Sequence, residues 1–124
     1  MPARTPEQLD RLFAEALNAG NAEAVLALYE PGASLVAGPG RVATGTEALR
    51  EALQGFLALK PRMSLETQPP IQAGDVALTS SRWTLSGTNP DGSPLTMSGV
   101  SAEVARRQPD GSWLFVIDNP FAGA

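Results

Sequence analysis

Apolar residues recur with helical spacing in the first half of the chain and with the spacing of strands in the second half. Three amphipathic segments, at residues 5–20, 21–31 and 46–60, place apolar side chains three and four positions apart, which predicts three helices, each with one face turned to a core. The helices would begin at Thr5, Asn21 and Thr46, which are capping residues, and would end at Gly20, Pro31 and Pro61. The first half is therefore predicted to be helical.

The remainder is rich in serine, threonine and branched residues and is divided by turn signals at Gly74-Asp75, Asn89-Pro-Asp-Gly92 and Pro109-Asp-Gly111. The predicted strands are a short one at 34–36 and four more at 62–73, 75–87, 94–107 and 112–118. Helices followed by hairpin-linked strands predict a single α+β domain over residues 1–124, with three N-terminal helices packed on an antiparallel sheet. The Pro69-Pro70 pair should lie at a sheet edge or a bulge.

The last predicted strand ends in a carboxylate. Five apolar residues, Trp113 to Ile117, precede Asp118, and such a run predicts burial on both faces of the strand. Asp118 is then expected to face an enclosed space. The alternative is that it caps a turn before Asn119-Pro120.

A second acid, Glu103, interrupts the apolar positions Val100, Ala102 and Val104 of the preceding strand. It either faces a pocket or lies on the solvent side beside an arginine, and a slip of one residue in register decides between the two.

Composition excludes several functions. The chain has no cysteine and no histidine, so thiol catalysis, histidine-dependent triads and His- or Cys-bound metals are excluded. The net charge of -4 with scattered basic residues argues against nucleic acid. Neither a signal-like segment nor a membrane span is indicated. We expect a cytoplasmic protein that needs no cofactor and no metal.

Two segments give the chain a family resemblance: Ala27-Leu-Tyr-Glu-Pro-Gly-Ala-Ser-Leu-Val36 and Gly45-Thr-Glu-Ala-Leu-Arg50, followed by four strands. This order resembles the NTF2-like superfamily, in its SnoaL-like and ketosteroid-isomerase-like branches. The resemblance implies a cone-shaped, cystatin-like roll, in which a curved sheet wraps around the first helix and encloses an apolar pocket. It also implies dimerisation through the outer side of the sheet.

The resemblance bears on catalysis residue by residue. Where ketosteroid isomerases carry an oxyanion-hole tyrosine and a proton-abstracting aspartate, this chain has Phe13 and Ala37, and only Glu103 matches the oxyanion-hole aspartate. A classical ketosteroid isomerase is therefore not expected. Asp118, seven residues after Gly111, matches the acid/base aspartate of SnoaL-like cyclases, although the histidine that accompanies it in those cyclases is missing.

These residues suggest three hypotheses that differ in function. The first is an acid/base enzyme of isomerase, cyclase or dehydratase type on a small, largely apolar carbonyl or hydroxy compound, with Asp118 and Glu103 as catalytic residues. The second is a non-catalytic ligand-binding protein, and the third is a dimeric association module. Five residues are candidates for the pocket wall, although each could simply fill the core: Phe13, Tyr29, Phe56, Trp83 and Ser101.

Register links the two acids. A four-residue loop, 109–112, would place Glu103 directly opposite Asp118, whereas a five-residue loop would place Glu103 opposite Ile117 and turn the acids to opposite faces. The shorter loop is predicted, with the acids sharing a proton inside the pocket. Val100, Ala102 and Val104 would then form an apolar outer patch, which predicts a homodimer.

Overall fold

The computed structural model describes residues 2–123 and has three helices and eight strands. The helices are α1 (Pro6–Asn18), α2 (Ala22–Leu26) and α3 (Thr46–Leu57). The strands are β1 (Tyr29–Gly38), β2 (Arg41–Thr44), β3 (Arg62–Thr67), β4 (Ile71–Ala73), β5 (Val76–Thr79), β6 (Ser81–Thr88), β7 (Pro94–Arg107) and β8 (Trp113–Gly123). The α+β prediction is confirmed.

Helix α1 begins as its sequence predicts. Thr5 is the N-cap and its hydroxyl accepts a hydrogen bond from the backbone N–H of Gln8 at 3.3 Å. The Gln8 side chain accepts one from the backbone N–H of Arg4 at 2.7 Å, so it satisfies a donor one residue earlier than a capping box would. Leu9 and Leu17 are fully buried, and their burial fixes the inner face of the helix.

Helix α2 is shorter than predicted, because it ends at Leu26 with Ala27 as its C-cap. Tyr29 therefore begins strand β1 and does not belong to the helix. Strand β1 is also much longer than the predicted 34–36, and it forms a hairpin with β2, which was not predicted.

The sheet is mixed, so the prediction of a purely antiparallel sheet is wrong. The order is β2-β1-β8-β7-β5-β4, with β6 pairing β7 and β3, and β1 runs parallel to β8. Two of the predicted strands, 62–73 and 75–87, are each split in two. The interval between β3 and β4 contains Pro69-Pro70, and Ser80 separates β5 from β6. As a result β5 pairs with residues 103–106 of β7 and β6 with residues 94–100.

The hairpin between β7 and β8 has the longer of the two loops considered. Arg107 lies opposite Trp113, and Gly111, at φ 86°, ends the turn, while the Gln108 N–H donates to the Ser112 carbonyl at 2.7 Å. The prediction of a four-residue loop is wrong because a type I turn followed by a left-handed glycine closes on this pair.

The two acids nevertheless face one another. Ala105 lies opposite Phe115 but Val104 lies opposite Ile117, so Val116 is the extra residue of a β-bulge. Beyond the bulge Glu103 pairs with Asp118, which is the predicted pairing reached by another route. The bulge also turns Ile117 outward, where it is 46% exposed, so burial on both faces of β8 was predicted wrongly.

The helices cover one face of the sheet, and the core lies between them; its fully buried members include Leu9, Leu17, Val25, Leu49, Leu53, Leu85 and Phe115. Within residues 2–123, no helix has the length and apolar character needed to cross a membrane.

Candidate functional site

A cavity of about 370 Å³ lies between the inner face of the sheet and helices α1 and α3, within the size range of small-molecule pockets. Its wall is mostly apolar, with Phe13, Leu53, Phe56, Met63, Trp83, Met97 and Phe115 among the lining residues. Three carboxyl groups, those of Asp10, Glu103 and Asp118, also line it and are almost fully buried. We call these three residues the acidic floor.

Asp118 is held by a tyrosine. The Tyr29 hydroxyl donates to Asp118 Oδ2 at 2.5 Å, and the Tyr29 ring packs on Phe115 with 5.2 Å between centroids. Burial raises the pKa of Asp118 to about 7, the negative charge of Glu103 adds to the rise, and the hydrogen bond from Tyr29 partly opposes it. Burial and the neighbouring acids also raise the pKa of Tyr29 well above its usual value, so the phenol remains a donor.

Glu103 accepts a hydrogen bond from the Thr79 hydroxyl at Oε1, at 2.7 Å. Burial raises its pKa to about 8, and the neighbouring charge of Asp10 contributes to the rise. The interaction with the Asp10 carboxyl raises the pKa of Glu103 and lowers that of Asp10. At neutral pH Glu103 is therefore mostly protonated.

Asp10 is the third acid, and sequence reasoning missed it. It lies on α1, accepts a hydrogen bond from the Ser81 hydroxyl at 3.2 Å, and has its pKa raised to about 7 by burial and by the charge of Asp118. The predicted apolar stripe of α1 did not include position 10. The spacing Pro6, Asp10, Phe13, Leu17 was the available signal, because it places Asp10 on the same inward helical face.

The sharing of a proton between Glu103 and Asp118 stays a prediction. The Asp118 carboxyl accepts a hydrogen bond from the Tyr29 hydroxyl, and the Glu103 carboxyl accepts one from the Thr79 hydroxyl. The charges of the two predicted acids still interact, because each lies in the same dry space. The arrangement places one anchored carboxylate beside a protonated one, and such a pair can accept a proton and donate another.

The five predicted pocket residues all line the cavity. Phe13 and Phe56 reach it from α1 and α3, and Ser101 from β7. Trp83 is 5% exposed, and its indole N–H donates to the Pro120 carbonyl at 2.8 Å. Tyr29 lies on β1 and not on α2, and its hydroxyl is buried on Asp118. The cause is the early end of α2, which moves Tyr29 onto a strand.

The described residues contain no cluster of His, Cys, Asp or Glu side chains with the geometry to hold a metal ion. The acidic floor is arranged for hydrogen bonding, and every buried side-chain nitrogen or oxygen in residues 2–123 has a partner. The chemistry that this arrangement supports is proton transfer in an apolar enclosure.

Three helices packed on one face of a curved mixed sheet, with a cavity between the sheet and the helices, define the class of cone-shaped α+β proteins. The family model described as a SnoaL-like domain matches residues 9–114, and the chain belongs to this family. No curated protein matches the chain significantly.

Solved structures agree on the fold. A ketosteroid isomerase-like protein from Erwinia carotovora atroseptica is 24% identical with a TM-score of 0.81, over 91% of this chain and 89% of its own. An NTF2-like superfamily protein from Salmonella enterica is 17% identical with a TM-score of 0.81, over 94% and 87%. An NTF2-like protein with a cystatin-like fold from Novosphingobium aromaticivorans is 17% identical with a TM-score of 0.74, over 90% and 75%. Identities this low establish the fold and not a shared activity.

Proposed function

We propose that the protein is an acid/base enzyme acting on a small, largely apolar carbonyl or hydroxy compound, with chemistry of the isomerase, cyclase or dehydratase type. The observation that carries the proposal is the acidic floor: three buried carboxyl groups, with pKa values of about 7, 8 and 7, line an apolar cavity. A group whose pKa lies near the working pH can both take up and return a proton. No histidine is present to do this.

Asp118 is the proposed base. It is about half ionised at neutral pH, and Tyr29 holds one of its oxygens, which leaves the other free to receive a proton from the substrate. Glu103 is the proposed acid, since its pKa of about 8 keeps it protonated. A proton leaves substrate carbon for Asp118, and Glu103 gives one to substrate oxygen or to a second carbon, so isomerisation or loss of water leaves the number of protons on the protein unchanged.

Other proteins of this fold have been given names from different functional classes, so both the binding protein and the association module remain alternatives. They include proteins provisionally named as a dehydratase from Streptomyces avermitilis, an aromatic ring hydroxylase from Novosphingobium aromaticivorans and a kinase association domain from Xanthomonas campestris. A cavity that both predicted acids reach favours the enzyme over the binding protein and the association module.

The test uses 5-nitrobenzisoxazole, a flat apolar compound whose ring opens to a coloured phenolate when a base removes its carbon-bound proton. We expect kcat/KM to rise with pH with an apparent pKa near 7, and Asp118→Asn to lower it by about 100-fold. The control is Glu66→Gln, which removes an exposed carboxylate of β3 and should leave the rate unchanged.

Saturable binding of the compound without acceleration beyond that given by acetate in solution would contradict the enzymatic proposal. The binding protein would then be the better description.

A further inference from the structure

The cavity also has a charged mouth. Four of its lining residues are solvent-exposed and mark where it opens: Arg41 on β2, Glu51 and Gly55 on α3, and Phe121 on β8. Of the basic residues in the described chain, Arg41 alone lines the cavity. It therefore supplies the permanent positive charge of an otherwise apolar and acidic site.

Arg41 is held over the mouth by the hairpin that carries it. It pairs with the buried Gly38 of β1, and its Cδ lies 4.0 Å from the position that a Cβ at residue 38 would take. The aliphatic part of the side chain thus lies against the turn of the hairpin. Its guanidinium takes part in none of the four ion pairs among the described residues.

The mouth and the acidic floor differ in burial. Arg41 and Glu51 are solvent-exposed, whereas Asp10, Glu103 and Asp118 are 5%, 5% and 4% exposed. The cavity is consequently bipolar, with acids at its inner end and a guanidinium, opposed by one exposed carboxylate, at its outer end.

This polarity selects the orientation of a ligand. Arg41 attracts an anionic group and the ionised fraction of the acidic floor repels it, so both ends of the cavity favour an anionic tail at the mouth. A cationic tail would instead be drawn inward, against the acids. A guanidinium also offers two parallel N–H donors that match a carboxylate or a phosphate.

We propose that the cavity takes molecules with three parts: a carbonyl or hydroxyl oxygen for the acidic floor, an apolar body, and an anionic oxygen group that Arg41 binds at the mouth. The inner end of this assignment rests on the proposed function, whereas the outer end depends only on Arg41. The inference narrows the substrate class from apolar carbonyl compounds to their acidic derivatives.

The test compares three probes that carry an acetyl group at one end of a benzene ring: 4-acetylphenylacetate, its methyl ester and 4-acetylphenyl phosphate. Binding is measured by calorimetry at low salt and pH 6.5. We expect the carboxylate to bind the wild-type protein about five- to tenfold more tightly than the ester. Arg41→Gln should remove this preference and Glu51→Gln should increase it.

The matched control is Arg82→Gln, which removes an exposed arginine of β6 that does not line the cavity and should leave the preference intact. A phosphate probe that binds more tightly than the carboxylate, in a way that depends on Arg41, supports the same site and assigns it to phosphorylated compounds. Equal binding of acid and ester, a preference that survives Arg41→Gln, or no binding of any probe overturns the inference.

The two proposals fail separately. An anion preference that depends on Arg41, together with no turnover of 5-nitrobenzisoxazole, would refute the enzyme and keep the anion site. Turnover that requires Asp118 without any anion preference would do the reverse.

Discussion

The buried acids should make the protein less stable as the pH rises, and Glu103→Gln should relieve part of this loss. The pKa of Glu103 is raised from 4.5 to about 8, so the folded state holds its proton where the unfolded chain has released it. The stabilising effect of that retained proton is fully present below the unfolded pKa of about 4.5 and is lost as the pH rises through about 8. Asp10 and Asp118, whose pKa values rise to about 7, act in the same direction.

The size of the effect follows from the pKa. A rise from 4.5 to about 8 corresponds to about 5 kcal/mol of folding free energy for a single independent group. The single substitution should recover less, about 2 kcal/mol at pH 9, because Asp10 and Asp118 share the interaction and the glutamine amide must find an acceptor. The Thr79 hydroxyl, 2.7 Å from Glu103 Oε1, can donate equally well to a glutamine oxygen.

The assay is thermal unfolding followed by circular dichroism between pH 5 and pH 9. About 2 kcal/mol corresponds to a Tm difference of about 8 °C in a domain of this length, so Glu103→Gln should melt about 8 °C above the wild type at pH 9 and close to it at pH 5. Glu66→Gln, which removes the same formal charge from the surface, should show no such change with pH. A wild-type Tm that stays level across this range, or an equal offset at both ends of it, would refute the reasoning.

Two further predictions concern the outside of the molecule. We propose a homodimer through the outer face of the sheet, where Leu78 and Ile117 flank Val104 and are 47% and 46% exposed. Leu78→Asp should give a monomer in sedimentation at micromolar concentration. A monomeric wild type would contradict the proposal. Gly111→Ala should lower the free energy of unfolding, measured by chemical denaturation, by about 1–2 kcal/mol, and Gly92→Ala should lower it less. Both glycines have φ near 86°, but the turn that contains Gly111 sets the start of β8. Equal, negligible losses would count against this role.

Local patterns in the sequence were sufficient for the three helices and for most of the strands, but not for β2 or for the ends of the elements. Stripe spacing and capping residues place α1 correctly, because both depend on residues within a few positions of one another. The end of α2 could not be read in this way. Pro31 marks the last position that a helix could reach, whereas the chain leaves the helix at Ala27, since pairing of Tyr29 with Phe115 in the sheet competes with it.

A repeat in the sequence predicts that the two hairpin loops close in the same way. Asn89-Pro-Asp-Gly-Ser93 and Gln108-Pro-Asp-Gly-Ser112 differ only in their first residue, and they close in the same way. The first residue donates its N–H to the carbonyl of the last at 2.8 Å and 2.7 Å, and the aspartate accepts from the serine N–H at 2.9 Å in both. Two copies of one turn imply one loop length. The bulge at Val116 has no such local signature, because it depends on which side chains the rest of the fold must bury.

That bulge adds a structural reason to assign the cavity a chemical role. In an unbroken strand Phe115 and Ile117 would both point inward and Asp118 would point to the outer face. The bulge exchanges the orientations of Ile117 and Asp118, so that Ile117 is 46% exposed and Asp118 is 4% exposed. Each of these changes is unfavourable for folding. A second copy of the chain covering the outer face would offset the exposure of Ile117. The burial of the Asp118 carboxyl group has no such compensation, and an apolar side chain at that position would be more favourable for folding. Features that lower stability are expected at functional sites, and the role that we propose for Asp118 is proton transfer to a ligand in the cavity.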